Sequence, residues 1–99
     1  MSCAAPEGGA SLEGVDVGSE AVIQGVVKAG GGPVGGAYVR LLDRSGEFTA
    51  EVPTGDGGEF RFFAAPGEWT LRTLAPGIEP VDQPVQASLG AVADVEITV

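Results

Sequence analysis

The residue whose type most directly suggests chemistry is Cys3, the only cysteine of the chain. A cysteine that carries sulfur needs a reachable thiolate on a segment that can move toward its donor. Cys3 lies in residues 1–20, a run of small, polar and acidic residues without periodicity, which predicts a flexible N-terminal arm. No lysine, arginine or histidine lies near it in the sequence to favour the thiolate, so an incidental exposed thiol is the competing interpretation.

Three arginines form a second group of candidates. Arg40, Arg61 and Arg72 each alternate with apolar residues, so each is expected on the outer face of a strand. If the three strands are neighbours, the guanidinium groups form a row that could bind a small anion. The competing interpretation is a set of cross-strand ion pairs with glutamates that occupy the same faces.

The composition excludes several classes of function. Five basic residues against fourteen acidic ones give a net charge of −9, which disfavours binding to nucleic acid or to anionic membranes. The chain has no histidine, and its acidic turns do not supply the set of oxygen ligands that Ca²⁺ requires, so we expect no metal and no cofactor. Because no catalytic constellation is present, we also expect a protein that is not an enzyme. The acidic charge indicates either solubility or a docking surface for a basic partner.

The compartment is predicted from what the sequence lacks. The first residues have neither the basic segment nor the apolar run of a signal peptide, and no apolar stretch is long enough to span a membrane. One cysteine cannot form an internal disulfide, which is the usual device of small secreted domains. The cytoplasm is therefore the expected location.

Residues 21–99 must position these candidates, and they show the period-two alternation of β-strands with no helical period. The predicted strands flanking the central stretch are Ala21–Lys28, Ala37–Asp43, Glu47–Val52, Ile78–Ala87 and Ala91–Val99. Of these, Ile78–Ala87 is weak and is expected at a sheet edge, because its prolines cannot donate to a ladder. The chain between Ala29 and Gly36 is rich in glycine and predicts a loop.

The stretch Gly57–Gly77 shows the clearest pattern. Two alternating apolar runs flank Ala65-Pro66-Gly67, a sequence typical of a type II turn, so we predict a β-hairpin there. With the flanking strands, this predicts an all-β, antiparallel, seven-stranded β-sandwich over residues 21–99, with a small barrel as the alternative. The residues expected to point inward are Ile23, Val27, Val39, Leu41, Phe48, Val52, Phe60, Phe62, Trp69, Leu71, Val95 and Ile97.

Several of these segments resemble known domains. Ile23–Val27 with Pro33–Leu41, Thr54–Phe62 and Ala65–Leu71 are similar to the strands and turns of carboxypeptidase regulatory-like (transthyretin-like) domains. The resemblance covers about the middle two-thirds of the chain, and it implies a β-sandwich of a kind that is usually non-enzymatic.

A resemblance over nearly the whole chain points to a smaller family. Val39–Asp43, Gly46–Val52 and Phe60–Ala65 resemble the small actinobacterial SseC-like family. Its members are cytoplasmic proteins of unknown function that are commonly encoded beside a thiosulfate sulfurtransferase. They typically begin with Met-Cys, whereas here Ser2 stands between Met1 and Cys3.

This resemblance implies a link to sulfur metabolism. The expected function is that of a non-catalytic accessory or binding partner of a thiosulfate sulfurtransferase. One alternative is a sulfur carrier that uses Cys3 as a persulfide acceptor, and another is a structural, homo-oligomeric interaction module. In this context the anion expected at Arg40, Arg61 and Arg72 is thiosulfate or sulfite.

Overall fold

The computed structural model describes residues 21–99, which form eight β-strands and, within this range, no helix. The strands are β1 (Ala21–Ala29), β2 (Gly32–Pro33), β3 (Tyr38–Leu42), β4 (Phe48–Pro53), β5 (Glu59–Ala64), β6 (Gly67–Leu74), β7 (Val81–Ala87) and β8 (Val92–Thr98). The predicted arm at residues 1–20, with Cys3, lies outside the described residues. No helix in the described range is long and apolar enough to cross a membrane.

The strands are divided between two four-stranded sheets. In sheet A, β1 pairs with β5 on one side and with β8 on the other, and the short β2 pairs with the end of β1. In sheet B the order is β4-β3-β6-β7. All pairs are antiparallel except β1 and β8, which run parallel. The all-β prediction is therefore confirmed as a β-sandwich-like arrangement, although seven strands is wrong, because Gly32–Pro33 in the predicted loop forms an additional strand.

The core lies between the inner faces of the two sheets. Alternation along each strand sends every second side chain inward, and most of the residues expected there are buried. The buried cluster consists of Ala21, Ile23, Val27, Val39, Leu41, Val52, Phe60, Phe62, Leu71, Ala87 and Ile97. Trp69 and Val95 are partly buried and pack against this cluster, so two further predicted core residues lie at its margin.

The predicted hairpin within Gly57–Gly77 is wrong. β5 pairs with β1 in sheet A, whereas β6 pairs with β3 and β7 in sheet B, so the two strands do not pair with each other. The link between β5 and β6 passes from one sheet to the other, and Gly67 has a φ of 138°, which is not the value of a type II turn. The apolar faces of these strands do face each other, but across the core rather than side by side.

Phe48 is a second correction. It was expected to point inward, but its side chain is 60% exposed. The register between β3 and β4 shifts between Leu41 and Leu42, so that Ala50 pairs with Leu41 and Phe48 pairs with Leu42. A bulge of this kind reverses the face of the residues beyond it. Phe48 therefore lies on the outer face of sheet B.

Candidate functional site

The outer face of sheet B holds four charged residues in one line. Glu51, Arg40, Arg72 and Asp82 come from β4, β3, β6 and β7 respectively, and each pairs directly with the next in the strand register. We call these four residues the charged row. Each alternates with inward-facing residues of its own strand, which is why the sheet brings all four to the same face.

Arg40 is held at one end of the charged row. Its Nε donates to Oε2 of Glu51 over 2.6 Å. The guanidinium carbon also lies 5.8 Å from the centre of the Phe48 ring, within the range of a cation–π contact. The guanidinium group is therefore fixed by a carboxylate and by an aromatic face.

Arg72 forms the matching pair at the other end. Its Nε and Nη2 donate to the two carboxylate oxygens of Asp82 over 2.8 and 3.0 Å, a bidentate arrangement. These hydrogen bonds, with the attraction between the opposite charges, raise the pKa of Arg72 above its ordinary value. The same hydrogen bonds lower the pKa of Asp82, against an opposing effect of burial. Both groups are thus charged at neutral pH.

The middle of the charged row places two like charges side by side. Arg40 and Arg72 are direct cross-strand partners, an arrangement that is destabilising when nothing compensates for it. The two carboxylates stand outside the arginines, so the order of charges across the sheet is negative, positive, positive, negative. The four charges sum to zero, and the two positive ones are adjacent.

Arg61 lies elsewhere. It is on β5 in sheet A, where its Nε donates to Oε1 of Gln24 over 3.1 Å, and the amide of Gln24 donates in turn to Asp94 over 3.0 Å. The sequence predicts one row of three arginines only if their strands are neighbours. The structure brings two of them together and places the third in the other layer.

Two exposed aromatic side chains flank the charged row. Tyr38 lies one alternation before Arg40 on β3 and is 49% exposed, as its outward register predicts. Phe48 lies on β4 on the other side of Arg40. Large aromatic groups with this exposure on one face of a small domain are characteristic of contact surfaces.

A cleft at the margin of sheet B was not foreseen from the sequence. Two adjoining depressions, of about 370 and 350 Å³, share Arg44, Glu68 and Trp69 in their walls. Arg44 and Glu68 lie 3.6 Å apart and are mostly exposed, and the Trp69 indole donates to the carbonyl of Ala65 over 2.9 Å. Arg44 belongs to a turn and Trp69 to an apolar alternation, so neither position carried a signal of a site.

The described part of the chain contains no set of side chains arranged to bind a metal ion. No group of three or more His, Cys, Asp or Glu side chains is close enough there to hold an ion. The carboxylates of the charged row are each paired with an arginine.

A sequence comparison decides the family. The profile described as "Protein of unknown function (DUF1416)" matches residues 3–99, almost the whole chain. The chain belongs to the DUF1416 family. Two relatives from Mycobacterium tuberculosis, the uncharacterized proteins Rv0814c and Rv3118, are each 53% identical to this DUF1416 protein over 100 residues, which cover 97% of this chain and 99% of theirs. An uncharacterized protein of Mycolicibacterium smegmatis is 62% identical over 63 residues, which cover 63% of this chain and 70% of that protein.

Solved structures with a similar fold include dioxygenases. The dioxygenase domain of a dioxygenase and carbohydrate-binding fusion from Streptomyces sp. SirexAA-E aligns with a TM-score of 0.67 at 12% identity, over 83% of this DUF1416 protein and 80% of that chain. Catechol 1,2-dioxygenase from Pseudomonas arvilla C-1 aligns with a TM-score of 0.58 at 14% identity, over 95% of this chain and 49% of that one. At this identity the likeness concerns the fold alone.

These structures correct one expectation. The absence of a catalytic constellation led us to expect a protein that is not an enzyme, and the likeness of this fold to dioxygenases contradicts that expectation. The same arrangement of strands occurs in dioxygenases, so this fold does not separate enzymes from binding proteins.

Proposed function

We propose that this DUF1416 protein is a cytoplasmic binding partner of a thiosulfate sulfurtransferase, and that it docks through the outer face of sheet B. The proposed partner comes from the resemblance of Val39–Asp43, Gly46–Val52 and Phe60–Ala65 to the SseC-like family. The finer fold assignment belongs to the same proposal: a sandwich of the carboxypeptidase regulatory-like, transthyretin-like kind.

The exposure of Phe48 and Tyr38 is the observation that supports the choice of surface. Both are on the face that carries the charged row, and the Phe48 ring lies against the Arg40 guanidinium. Aromatic and arginine side chains are the types that contribute most binding free energy at protein interfaces. Removing these partly exposed rings from water on docking would provide the apolar part of the contact, with the charged row beside it.

The acidic net charge of the chain supports a partner with a basic surface. The chain has a net charge of −9, so it attracts a basic surface and repels an acidic one. We therefore expect the sulfurtransferase to present a basic patch next to an apolar pocket that receives Phe48.

Co-purification and calorimetry with the recombinant sulfurtransferase test the proposal. Phe48→Ser and Tyr38→Ser are expected to weaken binding by about tenfold or more each, because interface aromatics commonly contribute this much. The matched control is Leu89→Ser, since Leu89 is 56% exposed in the connection between β7 and β8 and is not on this face. The control variant is expected to bind as the wild type does.

Two results would contradict the proposal. One is no complex between the wild-type protein and the sulfurtransferase, and the other is a complex that both aromatic variants leave unchanged. Cys3→Ser is expected to keep full affinity. Added sulfur on Cys3 after incubation with sulfurtransferase and thiosulfate, detected by mass spectrometry, would instead favour the carrier alternative.

A further inference from the structure

The order of charges in the charged row is unusual for a purely structural ladder. A ladder built only for stability would alternate signs, because every cross-strand neighbour would then be attractive. Here the order is negative, positive, positive, negative, and the two arginines are direct cross-strand partners in the register at the centre of sheet B. Either arginine could have been exchanged for a neutral residue without breaking the pair at the other end.

Among the described residues, the hydrogen bonds of Arg40 and Arg72 leave some of their N–H donors unused. Each guanidinium group has five N–H donors. Arg40 uses its Nε toward Glu51, and Arg72 uses its Nε and Nη2 toward Asp82. No other hydrogen bond of either group is formed within residues 21–99. Both side chains are also about two-fifths exposed, at 43% and 41%, so a solute can reach these donors.

The flanking carboxylates orient the arginines without neutralising the centre. Glu51 and Asp82 each engage an arginine from the outer end of the charged row, and Phe48 lies against Arg40. Charged groups held in this way lose less side-chain entropy when a ligand binds, which favours affinity. Two adjacent positive charges match a ligand with two negative charges on one centre.

We propose that Arg40 and Arg72 together form a binding site for a small divalent oxyanion. The oxygens of such an ion accept hydrogen bonds from both guanidinium groups and replace their mutual repulsion with two attractions. Arg61 takes no part, since it lies in sheet A. The site does not depend on a protein partner, so it stands or fails separately from the proposed docking.

Titration of the ¹⁵N-labelled full-length protein with sulfate, followed by NMR, tests the site directly. Amide shifts are expected around Arg40 and Arg72, on neighbouring strands, and acetate at equal ionic strength is expected to bind at least about tenfold more weakly because it carries one charge. Arg40→Gln and Arg72→Gln are each expected to weaken sulfate binding by about tenfold, the effect of losing one charged hydrogen-bonding partner.

Matched controls use the other arginines. Arg44→Gln and Arg61→Gln remove the same charge from positions outside the charged row, and both are expected to keep the wild-type affinity. Their retention would exclude a general effect of net charge. Equal loss in these controls would contradict a site made by Arg40 and Arg72.

A further variant keeps both arginines in place. Asp82→Asn keeps a side-chain oxygen that can accept a hydrogen bond from Arg72 and so hold it in place, but removes the negative charge that competes with the anion, so sulfate binding is expected to tighten several-fold. Unchanged or weaker binding in this variant, or sulfate shifts that avoid both arginines in the wild type, would overturn the proposal. Because Asp82→Asn retains both guanidinium groups, it tests the proposed anion site even if an arginine variant fails to fold.

Discussion

At the residue scale, Gly25 shows how closely the strands of sheet A approach each other. It lies in the middle of β1, directly opposite Phe60 on β5 and Val95 on β8. A Cβ atom at this position would overlap the carbonyl oxygen of Val95 and would come within 2.8 Å of the Phe60 ring. The missing side chain is therefore required by packing rather than by a turn, and the Phe60 ring covers the gap.

Gly25→Ala is expected to destabilise the protein by about 2–3 kcal/mol, because β1 must shift away from β8 or Phe60 must leave its position. Thermal unfolding should report this as a fall in Tm of about 10 °C or more for a domain of this size. Gly31→Ala is the matched control, since a Cβ there meets nothing within 4 Å. Equal effects of the two substitutions would show that backbone entropy, and not overlap, explains the result.

Two buried threonines give opposite expectations for the same substitution. Thr54 Oγ1 accepts a hydrogen bond from the Ala37 amide over 3.0 Å and donates to the Val34 carbonyl over 2.8 Å. Thr73 Oγ1 is equally buried but has no partner in the described part of the chain. Thr54 therefore links the connection between β2 and β3 to the end of β4 by hydrogen bonds. The Thr73 hydroxyl makes no such link within the described residues.

Thr54→Val is expected to lower the free energy of unfolding by about 1–3 kcal/mol, because it leaves the Ala37 amide unsatisfied. Thr73→Val is expected to be neutral or stabilising, since it replaces an unpartnered hydroxyl by a methyl group of similar size. Urea denaturation of the two variants measures the difference. A similar loss in both would mean that shape, and not hydrogen bonding, matters at these positions.

For the candidate site, the sequence predicted on which face of its sheet each arginine lies. Period two sends Arg40, Arg61 and Arg72 outward whatever their strands pair with, and the structure places them so. Which arginines become neighbours depends on strand pairing, which alternation does not encode. The cross-strand contact between Arg40 and Arg72, and the separation of Arg61, could therefore not be predicted.

At the element scale, β5 and β6 show why the sequence predicts the positions of strands better than it predicts which strands pair. The alternation and the Pro-Gly sequence between them identify two strands and a sharp change of direction. A two-residue link can close a hairpin or turn a corner between sheets, and the local sequence is compatible with both. The corner is favoured here because β6 already pairs with β3 and β7, while β5 pairs with β1.

The bulge between β3 and β4 is a second feature that the local sequence does not predict. In the turn before it, Gly46 has a φ of 86°, and Asp43 Oδ1 accepts hydrogen bonds from Ser45 and Glu47. The register shift that follows depends on how the two strands accommodate this turn. One residue of shift moved Phe48 from the predicted core to the exposed face.

The pairing of β6 with β7 predicts a pH dependence of stability. The Arg72 hydrogen bonds lower the pKa of Asp82 in the folded state. A carboxyl group with a lowered pKa stabilises the fold above its unfolded pKa, and this stabilisation disappears as the pH falls through the folded pKa. Asp82→Asn is therefore expected to be less stable than the wild type near pH 7 and equal to it once the pH lies well below the lowered pKa of Asp82 in the folded state.

The magnitude of this effect is expected to stay below about 1 kcal/mol, because Asp82 is nearly half exposed and solvent screens the pair. Urea denaturation of both proteins at neutral and at acidic pH measures it. A difference in unfolding free energy that is the same at both pH values would show that the pair contributes through packing and not through charge.

At the scale of the whole molecule, β1 brings the two ends of the described chain together, because it pairs with the last strand, β8. It pairs antiparallel with β5 and parallel with β8, so the first and last strands lie side by side. The sequence predicted both strands but not their parallel pairing, because parallel neighbours are set by the path of the intervening chain. A dioxygenase domain has a similar fold, so the scaffold by itself does not identify the chemistry placed on it.

The acidic charge of the molecule predicts how the proposed docking responds to salt. A chain with a net charge of −9 is steered toward a basic surface over distances that salt screens, with a Debye length of about 10 Å at 0.1 M. The association rate constant with the sulfurtransferase is therefore expected to fall by about tenfold between roughly 0.02 and 0.3 M salt. The dissociation rate constant depends on short-range contacts and is expected to change little.

Surface plasmon resonance separates the two rate constants, and Phe48→Ser supplies the contrast. Because Phe48 is uncharged, this variant should raise the dissociation rate constant while keeping the salt dependence of association. If salt instead acts mainly on dissociation, the charges that matter lie inside the interface, and the charged row becomes part of the docking contact itself. If neither rate constant depends on salt, long-range attraction by the acidic chain plays no part in forming the complex.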